Sequence, residues 1–98
     1  MFEIQIASDG NVTVEGRLDA AQAVKAQTFL DNVEGRCVLD LAKLVYVSSA
    51  GLGVLLKTHK RLMASGNGIK LINVNHHIHD IFRYSGFDKL FEIVPADN

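Results

Sequence analysis

The segment formed by residues 38–56, VLDLAKLVYVSSAGLGVLL, places an apolar strand directly before an amphipathic helix. The strand pattern ends at Ser48 and Ser49, and apolar residues at helical spacing follow from Leu52 onward. A helix N-terminus leaves backbone N–H groups unpaired and carries partial positive charge. A serine hydroxyl at this point can therefore cap the helix, and a phosphate there is electrostatically tolerated.

The residues before this segment predict a hairpin and a helix. Phe2, Ile4 and Ile6 alternate with more polar residues, and a turn sequence at 9–11 precedes a second apolar run, which is typical of a β-hairpin. An Ala-rich stretch then predicts a first helix over about 20–31.

The residues on either side of the second helix predict a parallel β-α-β unit. The apolar run at 37–41 indicates a central strand buried on both faces, and residues 69–74 return as a strand after the helix. Strands joined by such a crossover should be parallel. A short third helix over 76–84 should end at the Ser-Gly pair that follows it, and apolar residues after it return to the core.

Composition limits the classes of protein that this chain can belong to. A chain of 98 residues, of which 48% are hydrophobic, suits one globular domain over 1–98. Ten Lys and Arg against eleven Asp and Glu give a net charge of -1, so no nucleic-acid or membrane partner is expected. The single Cys37 fits a reducing compartment, and there is no signal-peptide pattern or long apolar span, so we expect a cytoplasmic protein.

Motifs for catalysis and for cofactor or metal binding are incomplete. Gly51 and Gly53 lack the third glycine of a dinucleotide fingerprint, and Val47 replaces the first glycine of a nucleophile elbow around Ser49. His76, His77 and His79 could suggest a metal site, but no Cys or Glu completes a metal-ligand set with them. We therefore expect no catalytic residue, no cofactor and no metal ion.

Three segments in order resemble the STAS domains of bacterial anti-sigma factor antagonists. They are EGRLD at 15–19, the stretch from Asp40 through SSAGLG at 48–53, and IFRYSGF at 81–87. The resemblance covers nearly the whole chain. It implies an α/β fold with a four- to five-stranded mixed sheet, made of an N-terminal hairpin and parallel β-α-β units, and with helices packed mainly on one side.

The resemblance also implies a function as a partner-switching regulator. Such a protein binds an anti-sigma factor, which is an ATP-dependent serine kinase, until that kinase phosphorylates it; a PP2C-type serine phosphatase restores the binding form. The phosphoacceptor would be Ser49. The second candidate is Ser48, which adds a rival hydroxyl at the position where family members often have Asp. The implied docking surface consists of Asp19, Ser48, Ser49, Gly51, Leu52 and Gly53. The chain would be a substrate and a switch, not an enzyme.

Two other functions remain open from the sequence. The chain could be a non-switching STAS accessory or scaffold subunit of a transport or signalling complex, in which both serines only cap the helix. It could also sense a small molecule, although the missing phosphate-binding motifs do not favour a deep nucleotide site.

Overall fold

The order of elements follows the predicted hairpin and β-α-β pattern. A computed structural model describes residues 1–96. The strands and helices are β1 (Phe2–Ile6), β2 (Val12–Leu18), α1 (Ala23–Leu30), β3 (Cys37–Asp40), β4 (Leu44–Val47), α2 (Ser49–Met63), β5 (Ile69–Val74), α3 (His76–Ser85) and β6 (Glu92–Pro95). Single 3-10 turns precede α1 and follow α3, at Ala20–Gln22 and Phe87–Lys89.

The strands form one mixed sheet in the order β1-β2-β3-β5-β6, with β4 also paired to β2. The β1-β2 hairpin is antiparallel, and the other pairs are parallel. Val12 of β2 lies opposite Leu39 of β3, whereas Gly16 of β2 lies opposite Leu44 of β4. Thus β3 and β4 pair with successive parts of the same neighbouring strand, and the residues 41–43 between them interrupt the ladder.

The structure confirms the predicted α/β class, the hairpin and the parallel pairing of β3 with β5. The sheet has six strands among the described residues rather than four or five, because the apolar run after residue 37 is divided in two and β6 adds an edge. The expected burial of β3 on both faces is wrong: Cys37 and Leu39 are buried, but Val38 and Asp40 are only half-buried. The predicted first helix begins as a 3-10 turn.

One face of the sheet carries the core. The buried sheet residues on that face include Val12, Val14, Cys37, Leu39, Ile69 and Leu71. Their neighbours on the other face are partly exposed and mostly polar, among them Thr13, Glu15, Asp40 and Lys70. The helices supply the other side of the same apolar cluster, chiefly through Leu52, Leu55, Leu62, Ile78 and Phe82. This one-sided arrangement was predicted, and it leaves the start of α2 at the surface.

Local signals define where the helices begin and end. The Asn75 side chain accepts a hydrogen bond from the Ile78 N–H at 2.9 Å and caps α3 at its N-terminus. Gly86 ends α3 with φ at +80°, a left-handed conformation that glycine adopts without strain. Of the helices in residues 1–96, none is both long and apolar enough to cross a bilayer.

Candidate functional site

Ser48 holds the start of α2 in place. Its backbone is extended, and its Oγ accepts a hydrogen bond from the Gly51 N–H at 3.2 Å. Its own N–H donates to the Leu18 carbonyl at 2.9 Å, and its carbonyl accepts from the Leu52 N–H at 2.8 Å. The half-buried Ser48 hydroxyl therefore acts as the N-cap of the helix.

Ser49 is the first residue of α2, and it is exposed. Its hydroxyl makes no hydrogen bond to any other residue in the range 1–96. The first turn of α2 contains no acidic residue that would offset the positive end of the helix. Ser49 thus presents a free hydroxyl at a position where added negative charge is favoured.

Gly51 and Leu52 lie beneath this surface. A Cβ on Gly51 would approach the Leu18 carbonyl oxygen at 2.7 Å and the Val47 Cγ2 at 2.8 Å, so the absence of a side chain lets the helix approach β2 and β4 closely. Leu52 is buried in the core. Gly53 is exposed, with open space where its Cβ would be. Of these three residues, Gly53 alone reaches the exposed surface.

Asp19 lies beside the start of α2. Leu18 pairs with Val47 across β2 and β4, so Asp19 and Ser48 follow residues that are direct neighbours in the sheet. The Asp19 Oδ1 is buried without a hydrogen-bond partner among residues 1–96. Buried carboxylate oxygens normally have a hydrogen-bond partner, so the Asp19 Oδ1 is an exception to the usual pattern. The structure therefore brings Asp19, Ser48 and Ser49 to one place.

Arg17 and Tyr46 lie next to this site, one residue before Leu18 and Val47 in their strands. The Arg17 guanidinium carbon lies 4.5 Å from the centroid of the Tyr46 ring, and the two residues pair across β2 and β4. Sequence reasoning missed this pair because its members are far apart in the chain. The pair could be found only from the register of β2 against β4, which places Leu18 opposite Val47.

The C-terminal histidines make no metal cluster. The His76 Nε2 lies 3.5 Å from the Asp80 carboxylate on the next turn of α3, and Arg83 contacts the same carboxylate. In the part of the chain that the structure describes, no three His, Cys, Asp or Glu side chains are placed to hold a metal ion.

Sequence comparisons match this chain to a family model and to a named protein. A family model described as "Mlab, STAS domain" matches residues 4–95. A protein of Bordetella bronchiseptica named "Putative anti-sigma factor antagonist BtrV" is 34% identical over 87 residues, which cover 85% of this chain and 75% of that protein.

Solved structures with the same fold come from several proteins. A Thermotoga maritima protein that carries the same antagonist description has a TM-score of 0.77 and 21% identity, over 100% of this chain and 87% of its own. The phosphorylated form of the Bacillus cell fate determinant SpoIIAA has a TM-score of 0.70 and 17% identity, over 100% and 93%. A sulfate transporter family protein of Wolinella succinogenes has a TM-score of 0.74 and 14% identity, over 91% and 84%. At these identities the likeness shows the fold alone.

Proposed function

This chain belongs to the STAS domain family, and we propose that it is an anti-sigma factor antagonist that switches partners through phosphorylation of Ser49. The 34% identity to BtrV supports the antagonist type. In its unphosphorylated form the chain binds an anti-sigma factor that is an ATP-dependent serine kinase. Phosphorylation releases it, and a PP2C-type serine phosphatase restores the binding form. The chain is the substrate of both enzymes and acts in the cytoplasm.

One observation carries the choice of phosphoacceptor. The Ser49 hydroxyl is exposed and unengaged among the described residues, whereas the Ser48 hydroxyl is half-buried and bonded to the Gly51 N–H. A kinase must align the attacking oxygen with the phosphate of ATP, which an exposed side chain permits without opening the helix. Phosphorylation of Ser48 would first require loss of the cap.

The same position explains how phosphorylation could stop binding without unfolding the chain. A phosphate adds about -1.5 to -2 charge and a hydration shell to a surface that must dock closely. The unpaired N–H groups at the start of α2 offset part of this charge in the free chain. Partner binding is therefore lost through repulsion and desolvation, while the fold is kept.

The docking surface has exposed parts and supporting parts. Ser49 and Gly53 lie at the surface, and the half-buried Asp19 lies beside them with its Oδ1 turned away from solvent. Gly51 and Leu52 support this surface from below. Exchange of either buried residue should weaken binding through a shift of α2, not through a lost contact.

Mass spectrometry tests the assignment. Wild type, Ser49→Ala and Ser48→Ala would each be incubated with ATP and the anti-sigma kinase, and the intact mass and phosphopeptides measured. We expect a gain of about 80 Da, one phosphate, in wild type and Ser48→Ala but not in Ser49→Ala. A gain lost only in Ser48→Ala would move the site to that residue.

A second function is favoured by a specific finding. The family model that matches the chain is described as "Mlab, STAS domain", and one structural neighbour belongs to a sulfate transporter family. The alternative proposal is therefore an accessory subunit of a transport or signalling complex, in which the two serines are structural. Partner binding and regulation that persist unchanged in Ser49→Ala, with no phosphate gain in wild type, would favour this alternative.

A further inference from the structure

A crevice of about 350 Å³ lies at the end of the molecule away from Ser49. It opens where β3 and β5 begin, and the last turns of α2 form one wall. Its lining residues are Arg36, Cys37, His59, Met63, Asn67, Gly68, Ile69, Lys70, Leu90 and Glu92. The size is within the range of small-molecule sites, which are roughly 300–1,000 Å³.

The tautomer of His59 is fixed by its neighbour. The His59 Nδ1 accepts a hydrogen bond from the Ile69 N–H at 2.9 Å, and the ring packs edge-on against Phe91 at 4.8 Å between centroids. A neutral imidazole whose Nδ1 accepts a bond carries its proton on Nε2. The ring nitrogen that His59 has left for a ligand is therefore a donor, the Nε2–H.

The charged groups of the crevice also favour a ligand that accepts hydrogen bonds. Lys70 pairs with Glu92 across β5 and β6 at 3.7 Å. Arg36 forms no ion pair within residues 1–96, so the three charged lining residues leave one uncompensated positive charge. A planar guanidinium is suited to a carboxylate, which it binds through two parallel hydrogen bonds.

Exposed apolar side chains border the same opening. Met63 is 56% exposed and Leu90 is 46% exposed, and both line the crevice. Apolar side chains of this size gain free energy when a ligand covers them. We propose that the crevice binds a small organic monocarboxylate, whose carboxylate meets Arg36 and the His59 Nε2–H and whose apolar body lies on Met63 and Leu90.

The site does not depend on the proposed switch. Ser49 begins α2 and Met63 ends it, so at 1.5 Å per residue the two are about 20 Å apart along the helix. Ligand binding can therefore be measured on unphosphorylated chain in the absence of any partner protein.

Titration with 2-naphthoate tests the proposal. The probe would be added to ¹⁵N-labelled chain at constant ionic strength, with the neutral 2-naphthamide in a parallel titration. We expect saturable amide shifts at Asn67, Gly68 and Ile69 with the carboxylate, and at least tenfold weaker binding of the amide. The amide of Ser49 should stay unchanged.

Two exposed cations provide a matched pair of variants. Arg36→Gln should weaken 2-naphthoate binding about tenfold, because it removes the charge and the paired guanidinium donors but keeps an unbranched polar side chain. Lys57→Gln removes an exposed charge from α2 that does not line the crevice, and it should leave the affinity unchanged. Shifts that do not saturate, equal binding of the amide, or equal effects of the two variants would overturn the proposal.

Discussion

Ser48 and Ser49 are adjacent in the chain, but their hydroxyls contact different surroundings. Because the Ser48 Oγ accepts the Gly51 N–H, Ser48→Ala leaves that donor at the start of α2 without its cap. We expect the free energy of unfolding to fall by about 1 kcal/mol, as is typical for loss of an N-cap. Urea denaturation followed by circular dichroism would measure the change.

Ser49→Ala is the control for this substitution. The Ser49 side chain is exposed and forms no hydrogen bond among the described residues, so its removal should change the stability by less than about 0.5 kcal/mol. Equal losses in the two variants would contradict the division of the pair into a cap and a free hydroxyl.

Gly51 and Gly53 are a second pair with opposite expectations. Gly51→Ala would push a Cβ to within 2.7 Å of the Leu18 carbonyl oxygen, so α2 must shift and we expect a loss of about 1–3 kcal/mol. Gly53 lies within α2, and a Cβ there would meet open space. Gly53→Ala should therefore stabilise the chain by about 0.5–1 kcal/mol, because alanine favours the helix more than glycine does. Thermal denaturation of both variants would show the opposite signs, and a loss in both would contradict the close approach assigned to Gly51.

At the scale of the elements, Arg61 of α2 ties down the end of α1. Its guanidinium donates to the Leu30 carbonyl at 2.9 Å, which also accepts from the Val33 N–H at 3.0 Å, and to the Val33 carbonyl at 2.8 Å just beyond the end of α1. Arg61→Met keeps most of the apolar stem but removes both bonds. We expect a loss of about 1–3 kcal/mol in urea denaturation.

Lys60→Met is the matched variant for Arg61→Met. Both residues lie in the last turn of α2 and interact alike with its negative end, but Lys60 is exposed. Its substitution should cost less than about 0.5 kcal/mol. If Lys60→Met were as destabilising as Arg61→Met, the effect would come from the helix dipole and not from the two carbonyl contacts.

The elements also show what sequence could predict and what it could not. The end of α3 at Gly86 and the start of α2 next to Ser48 were predictable, because caps are local signals. The strand β6 was missed, since its four residues include Pro95 and it is a strand only through its pairing with β5. The different roles of Ser48 and Ser49 likewise depend on one backbone contact that spacing does not reveal.

At the scale of the whole molecule, one apolar cluster joins the sheet to the three helices among the described residues. Ser49, the proposed phosphoacceptor, and the crevice lie at opposite ends of α2, and both are at the edges of this cluster. The crevice was not predictable, because Arg36, His59 and Leu90 come from separate segments that the sheet brings together. Such convergence depends on topology and not on any local pattern.

Cys37 reports on the integrity of this shared core. It lies in β3 at 2% exposure, and burial raises the pKa of its thiol from 9.0 to about 11, with Arg61 opposing part of the shift. Since ionisation of the thiol is disfavoured only in the folded chain, the stabilising effect is fully present below pH 9 and is lost as the pH rises toward 11.

A comparison of wild type with Cys37→Ala isolates this effect from other groups that titrate at high pH. Two pKa units correspond to at most about 2.7 kcal/mol, so between pH 9 and 11 the stability of wild type should fall more steeply than that of the variant, by about 1–2 kcal/mol in total. Urea denaturation with a reductant at each pH would measure the difference. Parallel curves for the two proteins would mean that the thiol reaches water in the folded chain, for which the crevice that Cys37 lines offers a route.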